Sequence, residues 1–294
     1  MLPRRPGPDA AMRGVAAAVP ALLLGACVAL TEQPRALIEG PDGIAVRTLP
    51  CPSAAETARA WVRAAPGAAL DPGAIRITTW NLHKESDDGW AQDLARFAAG
   101  ADALLLQEVT LVDPVRDILH GAKLRWVMAS SFIYRGADIG VVTATRVPPV
   151  ASCTQRAVEP LLRLPKSAVV SWLPLASPGV TLAVANLHAI NFTLTLGEYR
   201  DQLAALAETL SAHDGPIVLA GDFNTWSDGR LAALQNLAGR LRLSEIPLAE
   251  GRSRFLGKEV DHVFVRGLAV VSAEAIPVTS SDHNPVTALL RLSP

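Results

Sequence analysis

The sequence predicts an α+β fold in which two packed β-sheets are flanked by helices. The chain has 294 residues, of which 50% are hydrophobic, enough to bury a substantial core in one large domain or two small ones. Apolar runs of strand length are numerous, and most do not alternate strictly with helical segments. This pattern favours two packed sheets over one doubly wound parallel sheet.

The composition excludes several other classes of protein. A disordered chain does not carry this much hydrophobic sequence. Three cysteines are too few for a disulfide-rich scaffold or an all-cysteine zinc site. A multi-span membrane protein would need further apolar runs of about 18 residues. The formal net charge of −1 argues against a constitutive nucleic-acid coat protein, which would be strongly basic.

The hydrophobic pattern predicts the elements in chain order. Residues 28–74, rich in alanine, proline and glycine, are predicted to be a tether and leader with one short helix from Ser53 to Val62. The ordered domain is expected at residues 75–294. Alternating or continuous apolar runs predict strands at 75–80, 103–107, 139–145, 168–173, 180–187, 217–220, 260–265 and 286–292. Helical periodicity predicts helices at 88–99, 196–213 and 227–243.

Polar side chains interrupt the apolar pattern near the ends of these predicted strands. They are Asn81, Glu108, His188, Asp222, Asn224, Asp261, Asp282 and His283. Each residue taken alone is ordinary turn chemistry. Together they predict a common crevice at one edge of the sheets, where side chains from several strands can meet.

Six motifs carry a resemblance to a known family. In chain order they are Trp80-Asn81, Gln107-Glu108, Asn186-Leu187-His188, Gly221-Asp222-Phe223-Asn224, Val260-Asp261-His262 and Ser281-Asp282-His283-Asn284-Pro285. They resemble the motifs of the endonuclease/exonuclease/phosphatase superfamily, which includes DNase I, sphingomyelinases and inositol polyphosphate phosphatases. The segments 162–168 and 188–192 look like its YafD-like bacterial subgroup. The resemblance implies a DNase I-like four-layer α/β/β/α sandwich of two mainly antiparallel sheets over residues 75–292.

The resemblance also implies a divalent metal, and the residue types agree with it. A phosphodiester resists attack because its anionic oxygens repel the nucleophile, so a catalyst needs a cation and an activated water. Glu108 is predicted to bind the metal, with Asn81 adding a neutral oxygen or orienting the carboxylate, and Asp282 is a candidate second ligand. Few ligands, all of them oxygens, favour Mg²⁺, with Mn²⁺ or Ca²⁺ as substitutes.

The same comparison assigns the proton-transfer roles. His283 is predicted to be the general base, and Asp261 to fix its tautomer and stabilise the imidazolium. Asp222 and Asn224 lie two residues apart, so in an extended segment they would point to the same side and reach the water and a phosphate oxygen. His188 is predicted to donate a proton or a hydrogen bond to the phosphate and leaving group.

Three more residues are candidates for substrate binding. Lys166 occupies the place where the superfamily usually has a basic residue facing the phosphate, and Asn191 is a further donor. Arg254 lies in a loop that contacts substrate in the family. The alternative interpretation of Arg254 is an ordinary solvated basic loop.

These residues predict a metal-dependent phosphodiesterase, most simply a nuclease acting on nucleic acid as a monomer. One alternative is a phospholipid or sphingomyelin phosphodiesterase, or a phosphomonoesterase. Another is a non-catalytic binding module on the same fold. A DNA enzyme needs an elongated basic groove and a lipid enzyme an exposed apolar rim. The sequence shows neither a long basic stripe nor an aromatic hairpin like that of secreted sphingomyelinases.

The N-terminus predicts export to the cell envelope. Arg4, Arg5 and Arg13 precede an apolar stretch that ends in small residues before Cys27, which resembles a bacterial lipobox. Residues 1–27 are therefore predicted to be a signal peptide, with membrane attachment through lipidated Cys27; a cytoplasmic protein is the alternative. Cys51 and Cys153 would then remain, either as a disulfide or as free thiols.

Overall fold

The computed structural model describes residues 28–40, 43–52 and 68–294. The predicted signal peptide with Cys27 and the predicted helix from Ser53 to Val62 lie outside the described residues, so both stay predictions. Within the described part of the chain, no helix is both long enough and apolar enough to cross a membrane.

The larger sheet has nine strands and begins close to the start of the described chain. Its strands are β1 (Val28–Ala29), β2 (Arg35–Gly40), β3 (Gly43–Arg47), β4 (Ile75–Asn81), β5 (Ala103–Thr110), β6 (Arg125–Tyr134), β7 (Ala137–Thr145), β16 (Leu268–Ala275) and β17 (Val286–Leu292). Their spatial order is β16-β17-β4-β5-β7-β6-β2-β3, with β1 paired to β6. Only the central pair β4 and β5 is parallel, so both of these strands end at the same edge.

The smaller sheet has six strands, and a short hairpin stands apart from both sheets. Its strands are β8 (Ala151–Val158), β9 (Pro165–Pro174), β10 (Thr181–His188), β11 (Ile217–Asp222), β12 (Ser244–Glu245) and β15 (Asp261–Arg266), and the hairpin is β13 (Arg254–Phe255) with β14 (Lys258–Glu259). The order is β12-β15-β11-β10-β9-β8, in which β10 and β11 are parallel. The described α-helices are α1 (Trp90–Gly100), α2 (Asp113–Gly121), α3 (Gly197–Ser211) and α4 (Asp228–Leu241).

Buried side chains divide the molecule into four layers. The two sheets pack face to face through apolar residues such as Leu105 and Val184. Helices α3 and α4 cover the outer face of the smaller sheet, where Leu206 packs in one cluster with Leu219. Helices α1 and α2 cover the larger sheet through a cluster that includes Leu94. The predicted α/β/β/α sandwich of two mainly antiparallel sheets is confirmed.

The sheet extends further toward the N-terminus than the sequence predicts. Instead of starting at Ile75, the larger sheet already includes β2 and β3, which lie at its far edge beside β6. Residues of β3 are mostly exposed, so the segment has no apolar face that the hydrophobic pattern could detect. Strands β6, β8 and β16 and helix α2 were likewise not predicted from the sequence. Helix α2 is short, and Pro114 near its start is as typical of a loop as of the first turn of a helix.

A disulfide between Cys51 and Cys153 ties the N-terminal segment to β8. The Cα atoms are 4.7 Å apart, and 102 positions separate the two cysteines in the sequence. Cys153 is buried against the cluster under α3 and α4. Of the two alternatives that the sequence left open, the structure therefore shows the paired one.

Removing this disulfide is expected to lower the stability of the fold. Replacing both cysteines with serine frees a loop of about 100 residues in the unfolded chain, and we expect the free energy of unfolding to fall by about 2–4 kcal/mol. Urea unfolding followed by circular dichroism measures the change. The oxidised wild type treated with a reductant should approach the double variant. An unchanged unfolding midpoint in the double variant would show that the crosslink does not constrain the chain.

Candidate active site

A β-bulge at the end of β5 sets the direction of Glu108. The pairing of β5 with β7 shifts register between Leu106 and Val109, and Glu108 has a φ of 52°, in the left-handed region. Bulges re-aim a side chain out of the regular alternation of a strand. The preceding Gln107 is buried, and its Nε2 donates to Oδ1 of Asn186 on β10 at 2.6 Å. This bond joins the two sheets and fixes the edge from which Glu108 projects.

Three basic groups face the carboxylate of Glu108. Lys84 forms an ion pair with Oε2, while Lys166 Nζ and His188 Nε2 each lie 3.5 Å from Oε1. Burial alone would raise the pKa of Glu108, but the charges of protonated His188, Lys166 and Lys84 outweigh burial and hold that pKa well below its usual range. Glu108 is therefore ionised at neutral pH and can bind a cation.

His188 lies at the centre of the cluster, at the end of β10. Burial and the nearby charge of Lys166 together lower the pKa of His188 to about 4, so the imidazole is neutral at pH 7. At that pH the two lysines alone keep Glu108 ionised. Lys166 Nζ lies 2.9 Å from His188 Nε2. Because an ammonium group can only donate, the imidazole nitrogen accepts this bond and directs the lysine.

Asp222 is held beside His188 by the pairing of two parallel strands. His188 and Asp222 are register partners on β10 and β11, with His188 Nε2 3.5 Å from Asp222 Oδ2. Gly221 has a φ of 140°, and a Cβ there would lie 2.0 Å from the Leu187 carbonyl oxygen. Only glycine allows the two backbones to approach this closely. The glycine before the aspartate therefore positions its carboxylate.

Two asparagines orient the Asp222 carboxylate, one through its side chain and one through its backbone. Asn81 Nδ2 donates to Asp222 Oδ2 at 3.1 Å, and the Asn224 backbone N–H donates to Oδ1 at 2.9 Å. The Asn81 Oδ1 atom accepts from the backbone N–H of His83 at 3.0 Å. Asn224 has a φ of 49°, a conformation that asparagine tolerates better than most residues. The sequence predicted that Asn81 adds a neutral oxygen to the metal site or orients the Glu108 carboxylate, and this role stays a prediction; in the structure its side chain contacts Asp222 and the His83 backbone.

His283 and Asp261 form the pair that the sequence predicts. His283 Nδ1 lies 2.8 Å from Asp261 Oδ2, and Asp261 is the cross-strand partner of Asp222. Burial would lower the pKa of His283, but the charge and hydrogen bond of Asp261 raise it to about 10. The loop that carries His283 is anchored to β4, since Trp80 Nε1 donates to the His283 carbonyl oxygen at 2.8 Å.

The remaining predicted residues lie at the periphery. Asp282 is exposed, 4.0 Å from His283 Nε2, and makes no contact with Glu108. Asn191 lies beside the cluster, but its Oδ1 accepts from Trp226 Nε1 at 2.8 Å. Arg254 lies on the β13–β14 hairpin, largely exposed, and pairs with Glu259 at 3.2 Å. The structure does not bring Arg254 to the cluster, which agrees with the alternative of a solvated loop.

Sequence reasoning missed the turn that brings Lys84 to Glu108. His83, Lys84 and Glu85 form a 3-10 turn after β4, and all three have positive φ values of 47°, 58° and 54°. The Glu85 carboxylate anchors the turn by accepting the Thr110 backbone N–H at 3.0 Å, and its burial raises its pKa to about 7. The sequence signal for this contact was Lys84 itself, three residues after Asn81. A lysine at such a position is ordinary on a protein surface and does not indicate a site.

Sequence reasoning also missed Arg230, a fully buried cation in α4. Its guanidinium donates to the carbonyl oxygens of Ile190 at 2.6 Å and Asn191 at 2.5 Å. It also stacks over the rings of Tyr199 and Trp226, at 4.5 Å from each centroid. Arg230 therefore fixes the loop that follows His188. An arginine at an otherwise apolar helical position was the signal that could have revealed it.

The Glu108 carboxylate offers the hard oxygen atoms that a divalent cation such as Mg²⁺ prefers. A cationic group, the Lys84 ammonium, already pairs with this carboxylate, so the position favours positive charge. Within the described residues, no group of three or more His, Cys, Asp or Glu side chains could form a metal cage. Mg²⁺ does not need one, because it keeps several waters and binds through one or two carboxylates. Glu108 would be the main protein ligand.

The sequence profile of the Endonuclease/Exonuclease/phosphatase family matches residues 78–283, which include every member of the cluster. The chain belongs to this family. Members of the endonuclease/exonuclease/phosphatase family are metal-dependent phosphoric ester hydrolases. The family membership that the six motifs predicted is thereby confirmed.

Two relatives of known sequence share more than a third of their aligned residues with this chain. A UPF0294 protein of Vibrio campbellii is 41% identical over 218 residues, which cover 73% of this chain and 76% of the relative. A UPF0294 protein of Yersinia enterocolitica is 37% identical over 231 residues, which cover 75% of this chain and 87% of the relative. The YafD-like subgroup fits these homologues.

Solved structures of this family show the same fold at low identity. The human Nocturnin catalytic domain with bound sulfate is 19% identical with a TM-score of 0.60, covering 77% of this chain and 97% of that chain. A mannosyl-6-phosphatase of Bacteroides thetaiotaomicron is 17% identical with a TM-score of 0.57, covering 74% and 99%. At this identity the likeness concerns the fold alone.

Proposed function

We propose that this protein is a divalent-metal-dependent phosphodiesterase that hydrolyses its substrate by direct attack of water. The observation that carries the proposal is the hydrogen bond between His283 and Asp261, in which Nδ1 lies 2.8 Å from Oδ2. It lies at the same sheet edge as Glu108, Lys166, His188 and Asp222. Hydrolysis of a phosphoric ester requires a base that activates water and a carboxylate that binds the metal. His283 with its buried partner Asp261 would be that base, and Glu108 would be that carboxylate.

Each residue of the cluster has a role in this mechanism. Asp261 holds the proton on Nδ1 of His283, so in the neutral imidazole Nε2 is free to take a proton from the attacking water. Asp222, oriented by Asn81 and Asn224, accepts the second hydrogen of that water and aligns it. Lys166 binds a phosphate oxygen.

Two further roles complete the cluster. His188 directs the Lys166 ammonium, because at neutral pH it is uncharged and accepts from that lysine. This role differs from the proton donor that the sequence predicted. Glu108 would hold Mg²⁺, with Mn²⁺ or Ca²⁺ as substitutes, and the bound cation would supply Lewis-acid stabilisation of the charge on the phosphate.

Nucleic acid is the substrate that the sequence placed first, and it stays a proposal. A phosphomonoester is the other class, since one neighbour of similar fold is named a phosphatase. Water attack with a histidine base serves both classes of ester, so the reaction itself does not separate them. The substrate must therefore be established by comparing esters directly.

Parallel hydrolysis assays test the proposal. Residues 28–294 are incubated with bis(p-nitrophenyl) phosphate, plasmid DNA and p-nitrophenyl phosphate, with Mg²⁺ or Mn²⁺ and with a chelator. We expect hydrolysis of the diester, reduced by about a hundredfold or more on chelation, because a catalytic cation contributes several kcal/mol to the barrier. Hydrolysis of the monoester alone would replace the diesterase by a phosphatase. A folded protein that hydrolyses none of the three would overturn the proposal.

A further inference from the structure

A pocket of about 200 Å³ opens directly beside the catalytic cluster. Lys84, Glu108, Lys166 and His188 form one of its sides. Most of the rest is apolar and includes Phe132, Ile139, Leu162, Leu164, Pro165 and Phe192, together with the polar residues Ser131, Glu159 and Asn191. A group bound in this pocket would be continuous with a phosphate held at Lys166.

The two loops that contribute Leu162 and Phe192 to the pocket also carry further exposed hydrophobic side chains. Leu161 and Leu162 follow β8, and Phe192 and Leu194 follow β10; their exposed fractions are 50%, 56%, 44% and 85%. Single exposed apolar residues are ordinary, but a group of them around a pocket marks a binding surface. We refer to these four residues as the apolar rim.

The two loops are held in place by polar contacts rather than by their own packing. The Glu159 carboxylate accepts the Asn191 backbone N–H at 3.0 Å through Oε2, which joins one loop to the other. Arg230 binds the carbonyl oxygens of Ile190 and Asn191 from below. These polar contacts therefore fix the two loops that carry the apolar rim, although the rim side chains themselves bury little surface in the protein.

Glu159 provides a second, independent indication of a ligand. It lines the pocket and is only 1% exposed, yet its Oε1 has no hydrogen-bond partner among the described residues. A buried acceptor left unpaired is costly, so it indicates a donor from outside the protein. A hydroxyl or ammonium group on the ligand would satisfy it, whereas the next phosphate of a nucleic acid would be repelled by it.

The basic residues near the His283 loop also disfavour a long polyanion. On and next to the β13–β14 hairpin, Arg254 pairs with Glu259, Lys258 with Asp228, and Arg252 with Glu245 and Glu259. These cations are already neutralised by carboxylates. Tracking several phosphates requires unpaired lysine and arginine side chains.

We propose that this pocket binds the apolar part of an amphiphilic phosphate ester, so that the substrate is a phospholipid. Its phosphate would lie at Lys166 and His188, its chain between Leu162 and Phe192, and the bilayer against the apolar rim. The proposal rests on the proposed phosphodiesterase activity and names its substrate class.

A matched pair of substrates tests the pocket. Methyl p-nitrophenyl phosphate and octyl p-nitrophenyl phosphate share the reacting centre and differ only in chain length. We expect kcat/KM to be at least about tenfold higher for the octyl ester, since two or three buried methylene groups give that factor. In the Leu162→Ser/Phe192→Ser variant, the ratio of kcat/KM for the octyl ester to kcat/KM for the methyl ester should fall to about twofold, mainly through a higher KM for the octyl ester. Both side chains are exposed, so the fold should tolerate the change.

A control variant and a binding assay separate the outcomes. Val271→Ser removes an exposed apolar residue of β16 that does not line the pocket, and it should keep the octyl preference. Chelator-treated wild type should sediment with vesicles of phosphatidylethanolamine and phosphatidylglycerol, and the double variant should not. Equal rates for both esters, or plasmid DNA as the preferred substrate, would overturn the pocket proposal while leaving the phosphodiesterase intact. Failure to hydrolyse even the methyl ester would instead count against the phosphodiesterase.

Discussion

In the His283→Ala variant, kcat for a phosphodiester is expected to fall by a factor of about 10² to 10⁴, which is the contribution of a positioned general base. The side chain is hydrogen-bonded to Asp261, and a urea unfolding curve that matches the wild type would exclude unfolding as the cause of the loss. Hydrolysis of bis(p-nitrophenyl) phosphate under saturating Mg²⁺ measures it. His120→Ala removes an exposed histidine at the end of α2 and should leave kcat unchanged. A variant at His283 with more than a tenth of wild-type activity would show that another group activates the water.

The pH profile supplies a second readout of the same pair. His283 must be neutral to accept a proton, and Asp261 raises its pKa to about 10. Activity is therefore expected to rise with pH from neutrality toward 10. In Asp261→Asn the main cause of the raised pKa is gone, so the rise should move to lower pH while the maximal rate falls. A pH profile that is identical in this variant would show that Asp261 does not act through His283.

The sequence predicted the centre of the fold better than its edges. Strands β5, β10 and β11 are buried on both faces and therefore read as continuous apolar runs, which is why their positions were found. Strand β4 was found from its alternation of apolar and polar residues. Strand β3 is exposed, and its residues alternate too weakly to be recognised. Short helices such as α2 depend on tertiary packing for their stability, which a local pattern does not contain.

The candidate site shows a similar division. Residues that follow buried strands, such as His188 and Asp222, could be placed because the parallel pairing of β10 with β11 brings strand ends together. Lys84 reaches Glu108 only through a turn of three left-handed residues, and Glu159 lies in a loop distant in sequence. Their roles depend on which loops meet in space, and hydrophobic periodicity says nothing about that.

The Glu108→Gln variant is expected to lose at least about a hundredfold in both activity and affinity for Mn²⁺. Residues that only orient a metal ligand cost between about ten- and a hundredfold when they are removed, and a direct ligand should cost no less. The substitution keeps the shape of the side chain but removes the charge that faces Lys84 and Lys166. Isothermal titration calorimetry measures metal binding without any substrate. Glu208→Gln, on the exposed face of α3, is the matched control.

Lys84 gives this prediction a variant that should change metal binding in the opposite direction. Its ammonium pairs with the same carboxylate that a divalent cation would use, so the two compete for Glu108. Replacing Lys84 with methionine keeps most of the side-chain volume but removes the competing charge, and Mn²⁺ affinity should increase. Glu108→Gln should abolish that increase in the double variant, because both effects act through one carboxylate. Independent, additive effects of the two substitutions would show that the metal binds elsewhere.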